Sequence, residues 1–247
     1  MSLNSCTDQF VLALLPRKRI ASVTTLAADP AYSLLSAQAR GVPTNRGHAE
    51  DVARDRPDLV VASSFTAPGE IGMLRRLGYP LLVVDDPGSL DAIRRATRAV
   101  AAAVGERARG EALLAGMDRD FAELAREPGP PLAVASWGEA GLGAPAGSLA
   151  DTVLTAAGAR NVGAGRGGRA ESIEGLLKLA PALLVEGDPR FRHPGRHDEL
   201  AHHPAVAHRW AGRTVTLPEA AVICGTPLIG RAALSVRAQL RRMGKRA

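Results

Sequence analysis

The sequence predicts an α/β protein: two Rossmann-like lobes with parallel sheets, joined by one long α-helix. Three observations predict it. β-Branched apolar segments of strand length alternate with amphipathic segments in the first part of the chain. The same alternation starts again after Pro128-Gly-Pro-Pro, the strongest boundary signal present. Between them runs an Ala-, Arg-, Glu- and Leu-rich stretch from Leu90 to Glu127, longer than the ~10–14 residues of an ordinary globular helix. The lobes are then residues 19–88 and 131–247, with the linking helix at residues 89–127.

Arg19 to Thr24 is the first expected strand, running through Thr25 to Pro30 into a helix at Ala31 to Gln38. His48 to Asp55 is amphipathic, and Pro57-Asp58 separates it from the buried-type strand Leu59 to Ser63. A helix from Gly69 to Leu77 stops at Gly78, and Pro80 introduces the strand Leu81 to Asp85. Strands separated by helices pair in parallel and are covered on both faces. Ser89 caps the linking helix.

In the second half, the strand Leu132 to Trp137 leads into a glycine-rich loop, residues 138–147, and Ser148 caps a helix that closes at Gly158. A second glycine-rich loop, a helix at Ser172 to Leu179 and the strand Ala182 to Glu186 follow. A His-rich helical segment, the strand Arg213 to Leu217, a loop through Cys224 and a closing helix from Leu228 to Met243 complete the pattern.

At the start, Met-Ser-Leu is read as an addition outside the fold. Phe10 to Leu15 is too short to span a bilayer, and its basic cluster, Arg17 to Arg19, lies on the wrong side for a signal peptide. Export would require a leader beyond this sequence.

The 31 Lys and Arg exceed the 25 Asp and Glu, giving a net charge of +6, but the arginines are scattered and aromatics are 3% of the chain. A nucleic-acid surface would need the charge gathered on one face with stacking rings, so that class is excluded. Gly163, Gly165 and Gly168 satisfy G-x-G-x-x-G but lack the preceding hydrophobic strand a dinucleotide site requires. His193, His197, His202, His203 and His208 cluster in one segment and read as surface histidines rather than converging metal ligands. There is no G-x-S-x-G elbow, and Cys224 has no neighbouring base. Cys6 and Cys224 stand either as buried thiols in a reducing compartment or as a disulfide in an oxidising one.

Several phrases, in order, resemble the periplasmic solute-binding proteins that serve ABC importers of cobalamin, ferric siderophores and haem. "RIASVTTLAADPAYSLL" is similar to the family's opening strand and helix, and "GHAEDVARDRPDLVVAS" to its helix, turn and next strand. "LGYPLLVVDDPGSLDAIRRATRAVAAAVG" resembles the crossover into the inter-lobe helix, while "GSLADTVLTAAGARNVG" and "ESIEGLLKLAPALLVEG" resemble the second lobe.

The resemblance implies a non-enzymatic, periplasmic protein without cofactor or resident metal. It would act as a monomer that captures a small-molecule ligand in a cleft between lobes and delivers it to an ABC permease dimer in the inner membrane. Loops at the carboxyl ends of strands would supply the contacts, here Thr24, Thr25, Arg46, His48, Ser63, Ser64, Phe65, Thr66, Trp137, Arg166, Arg169, Arg190 and Phe191. Glu70 and Glu174 match the carboxylates with which the family engages permease arginines.

Cobalamin-binding relatives line the cleft with aromatics, whereas the matching positions here are Ser63 and Gly168. Arginine-bearing loops suit anionic groups through fork-like hydrogen bonds, so a ferric siderophore is the expected ligand ahead of cobalamin or haem. The competing class is a cytoplasmic nucleotide-binding α/β enzyme, separated by the presence of a leader in the gene.

Overall fold

Met1 to Leu3, expected outside the fold, bridge two strand ladders of the first unit. Ser2 N–H donates to the Ser22 carbonyl at 3.0 Å, Leu3 N–H to the Val61 carbonyl at 3.0 Å, and Val61 N–H to the Met1 carbonyl at 2.9 Å. The segment therefore joins two parallel ladders, β1 (Val23–Thr24) with β2 (Thr44–Asn45) and β3 (Val60–Ser63) with β4 (Leu81–Val84). Buried backbone groups must pair, and a gap here would orphan those of Ser22 and Val61. Asn45 adds a side-chain bond from Nδ2 to the Ser2 carbonyl at 2.9 Å.

The computed structural model describes residues 1–138, 141–166, 172–187 and 203–245. It divides into two units: Met1–Gly116 with Ile223–Pro227, and Met117–Val222 with Leu228–Ala247. The first unit therefore takes in residues 1–18, with the bridging segment and α1 (Ser5–Leu14), which the expected lobe of residues 19–88 leaves out. Asn4 caps α1 by accepting the Cys6 N–H, and Phe10, Val11 and Leu14 are buried.

The strand expected from Arg19 shrinks to Val23–Thr24, since Arg17–Arg19 is a 3₁₀ turn. Arg19 instead reaches Glu106 at 2.5 Å and the Val104 carbonyl at 2.7 Å. The helix expected at Ala31 reduces to α2 (Ser36–Ala39), because Asp29 draws the preceding segment into turns: its Oδ1 accepts the Ala31 N–H and its carbonyl those of Tyr32 and Ser33. By contrast α3 (Ala49–Asp55) and α4 (Pro68–Arg76) fall where the sequence puts them.

A single helix from Leu90 to Glu127 does not form. Gly105 takes a left-handed φ of 75°, and the N–H groups of Gly105 and Glu106 bond back to Ala102 and Ala101, ending α5 (Leu90–Ala103). The rod begins afresh as α6 (Arg107–Arg126), which leaves the first unit and enters the second. Where α6 passes α5, a Cβ at Gly110 would stand 2.6 Å from the Ala101 Cβ, so glycine permits the approach.

In the second unit, β5 (Ala133–Gly138) pairs in parallel with β7 (Arg160–Asn161) and β8 (Leu183–Glu186), and β8 with β9 (Thr214–Thr216). Part of the expected glycine-rich loop is a strand, β6 (Gly141–Leu142), antiparallel to the end of β5. Around the sheet lie α7 (Leu149–Ala156), capped by Ser148, and α8 (Ile173–Leu179), capped by Ser172. The chain continues with α9 (Pro204–Arg209), α10 (Glu219–Val222) and α11 (Ile229–Gly244).

On α11, Arg237 is buried and donates to the carbonyls of Glu123 and Leu124 on α6 and of Ala156 on α7, a cation placed at the negative ends of two helices. His203 caps α9 and His208 lies within it; His193, His197 and His202 fall outside the described residues.

Candidate ligand-binding faces

Parallel strands bring their carboxyl ends to one edge, and in the first unit four loops follow from that topology. They are Thr25-Leu26 after β1, Arg46 to His48 after β2, Ser64 to Thr66 after β3, and Asp85-Asp86 after β4. The residues predicted there divide by what their side chains already do.

Thr24, Ser63 and Thr66 are buried. Thr24 donates its hydroxyl to Asp8, Thr66 Oγ1 accepts the Ser63 N–H at 3.2 Å, and Ser63 Oγ accepts the Phe65 N–H at 3.1 Å. These three shape the loops from behind. Their neighbours Thr25, Arg46, His48, Ser64 and Phe65 are exposed, and Phe65, at 78%, is the most exposed large hydrophobic among the described residues.

Leu26, which the sequence reading passed over, is also exposed at this edge. Its signal was its place directly after Thr25 at the end of a strand. Asp85 and Asp86 were missed too; burial, then the charge of Asp85, pushes the Asp86 carboxyl above its usual range.

The second unit differs. Trp137 is 3% exposed and packs with Leu142, Leu176, Leu184, Val206 and Trp210, so its ring belongs to the core rather than to a ligand surface. The sequence ends the strand at Trp137, whereas β5 continues through Gly138 and pairs with β6, which keeps the residue within the sheet. Arg166 ends a short turn after β7. Arg169, Arg190, Phe191 and Gly168 lie outside the described residues.

Glu70 and Glu174 both occupy the first turn of a helix, where carboxylates favour the positive end of the dipole. Glu174 is exposed, and a hydrogen bond with Ser172 holds its carboxyl below the usual range. Glu70 is half-buried and engaged: Oε2 accepts the Ala49 N–H of α3 at 2.7 Å, and Oε1 stands 3.3 Å from His48 Nδ1.

The cysteines left open by the sequence are joined: Cys6 and Cys224 form a disulfide within the first unit, with Cα atoms 5.0 Å apart. Segment Ile223–Pro227 is packed so closely that a Cβ at Gly225 would meet the Pro87 carbonyl oxygen at 2.2 Å.

Residues 1–216 match the family described as periplasmic binding protein. No curated protein sequence matches the chain. Among solved structures, the periplasmic heme-binding protein RhuT from Roseiflexus sp. RS-1, in apo form, is 26% identical with a TM-score of 0.77, over 98% of this chain and 97% of that one. The periplasmic heme-binding protein HutB of Vibrio cholerae shares the fold at 19% identity and a TM-score of 0.77, covering 97% of each chain. So does the periplasmic vitamin B12 binding protein BtuF of Vibrio cholerae, at 18% identity and a TM-score of 0.68, over 99% of this chain and 96% of that one. The chain belongs to the periplasmic binding proteins, the non-enzymatic substrate-binding components of ABC importers.

Proposed function

We propose that the protein captures an iron chelate, with haem as the first reading. The observation that carries it is the pairing of Phe65 and Leu26, exposed apolar side chains, at the same strand ends as the cationic Arg46. A flat ligand with an apolar body and anionic edges needs both: apolar area for the ring and a guanidinium fork for the carboxylates. The likeness to a heme-binding protein at 26% identity supports this reading.

A ferric siderophore is the second reading, favoured by the scarcity of aromatic residues, two Trp, two Tyr and four Phe in all. Delivery would be to an ABC permease, with Glu174 and Glu70 as the docking carboxylates. A thermal-shift panel of haemin, ferric siderophores and cobalamin tests the assignment, since a ligand that binds only the native state raises the melting temperature. Haemin alone should produce the large shift. A shift with siderophores only would move the assignment to them, and no shift with any of the three would overturn it.

A further inference from the structure

We propose that His48, Glu50 and Glu70 form a binding site for a first-row divalent cation of the zinc type on the first unit. One ring nitrogen of His48 and one carboxylate oxygen from each glutamate lie within 4.8 Å of one another. The His48 Nδ1 to Glu70 Oε1 separation is 3.3 Å. A tetrahedral cation with bonds of about 2.0 Å holds its ligands about 3.3 Å apart, so this edge already has coordination spacing. Small rotations of the exposed Glu50 side chain close the rest.

Two further features set this group apart from a chance cluster. The Ala49 N–H fixes Glu70 through Oε2 at 2.7 Å and leaves Oε1 directed at the imidazole, the outer-shell arrangement that orients ligands in metal sites. The Glu50 side chain makes no hydrogen bond or ion pair among the described residues, yet one of its carboxylate oxygens lies within 4.8 Å of the Glu70 and His48 ligand atoms. A His48–Glu70 ion pair explains one edge of the triangle and leaves Glu50 unexplained; a dication accounts for all three.

An imidazole with two carboxylates suits zinc, manganese or ferrous iron better than calcium or magnesium, which take oxygen donors. His48 and Glu70 side chains are 58% and 24% exposed, so water completes the coordination and the ion enters from solvent. Bound there, the cation ties α3 to α4 and occupies Glu70. Cation binding itself does not depend on the proposed ligand or on a docking role for Glu70.

The test is calorimetric titration of the full chain with zinc chloride, comparing wild type with H48Q, E50Q and E70Q. Glutamine at 70 keeps an oxygen for the Ala49 N–H, and positions 48 and 50 are exposed, so all three should melt within a few degrees of wild type without metal. Comparison with the variants also separates this site from zinc taken up elsewhere on the chain, the His-rich segment included. The expected result is one equivalent of zinc bound by wild type that weakens at least tenfold in each variant. Equal stoichiometry and affinity in wild type and variants, or a loss confined to one substitution, would overturn the three-residue site. Failure of the haemin panel with this loss intact would leave the cation site standing.

Discussion

Asp8, on α1, accepts a hydrogen bond from the Thr24 hydroxyl at 2.5 Å and another from the Thr24 N–H at 3.1 Å, inside the first unit. The bond fixes the end of β1 directly before the exposed Thr25 and Leu26. Burial raises the Asp8 carboxyl to about 6, and the Thr24 bonds only partly oppose it.

Because the folded pKa lies above the unfolded one, the native state holds the extra proton. Asp8's contribution to stability is therefore fully present below pH 4 and declines as pH rises to about 6, by up to roughly 3 kcal/mol. Urea unfolding at several pH values should show wild type losing stability relative to D8N across that interval. A pH-independent difference would contradict the assignment.

The Cys6–Cys224 bond closes a loop across a sequence separation of 218 and fastens Ile223–Pro227 to the first unit, while its flanking residues belong to the second. Replacing both cysteines by alanine should cost about 2–5 kcal/mol, because the unfolded chain regains the freedom the cross-link removed. Thermal unfolding with and without reductant checks this: wild type in reductant should approach the double variant, which itself should not respond.

Ser63 and Phe65 separate loop shape from ligand contact. F65A should leave stability within about 0.5 kcal/mol, as expected for an exposed side chain, yet weaken binding of the iron chelate by about tenfold. S63A removes the acceptor for the Phe65 N–H and should cost about 1 kcal/mol. Chemical denaturation and ligand titration of the same two variants read the two effects separately.

Glu174 and Glu70 should behave unequally. E174K reverses an exposed charge and should abolish uptake in cells while leaving ligand affinity and melting temperature unchanged. E70K should lower the melting temperature as well, since it removes the acceptor for the first N–H of α3. Uptake assays alongside melting curves distinguish them, and undiminished uptake by E174K would remove its docking role.

The sequence by itself determined the alternation of α3, β3, α4 and β4, the caps at Ser89 and Ser148, and the restart after Pro128. These are local: periodicity, helix-capping chemistry and proline geometry act over a few neighbouring residues. It misplaced Met1–Leu3, because three residues carry no period and join the ladders only through backbone hydrogen bonds with Ser22 and Val61. It ran α5 and α6 together, since alanine-rich segments on both sides of Gly105 share one helical propensity and only a left-handed glycine marks the break.

For the ligand-binding face, strand ends were legible but side-chain direction was not. Thr24 and Thr25 are adjacent and chemically identical, yet one is turned inward to Asp8 and the other outward to solvent. Trp137 and Phe65 carry the same expectation, yet Phe65 is exposed and Trp137 is buried, for the same reason: burial is decided by what packs across a sheet from distant parts of the chain. Pairing Cys6 with Cys224 and bringing Glu70 on α4 to His48 and Glu50 at the start of α3 are likewise contacts between separate segments, and only tertiary structure decides those.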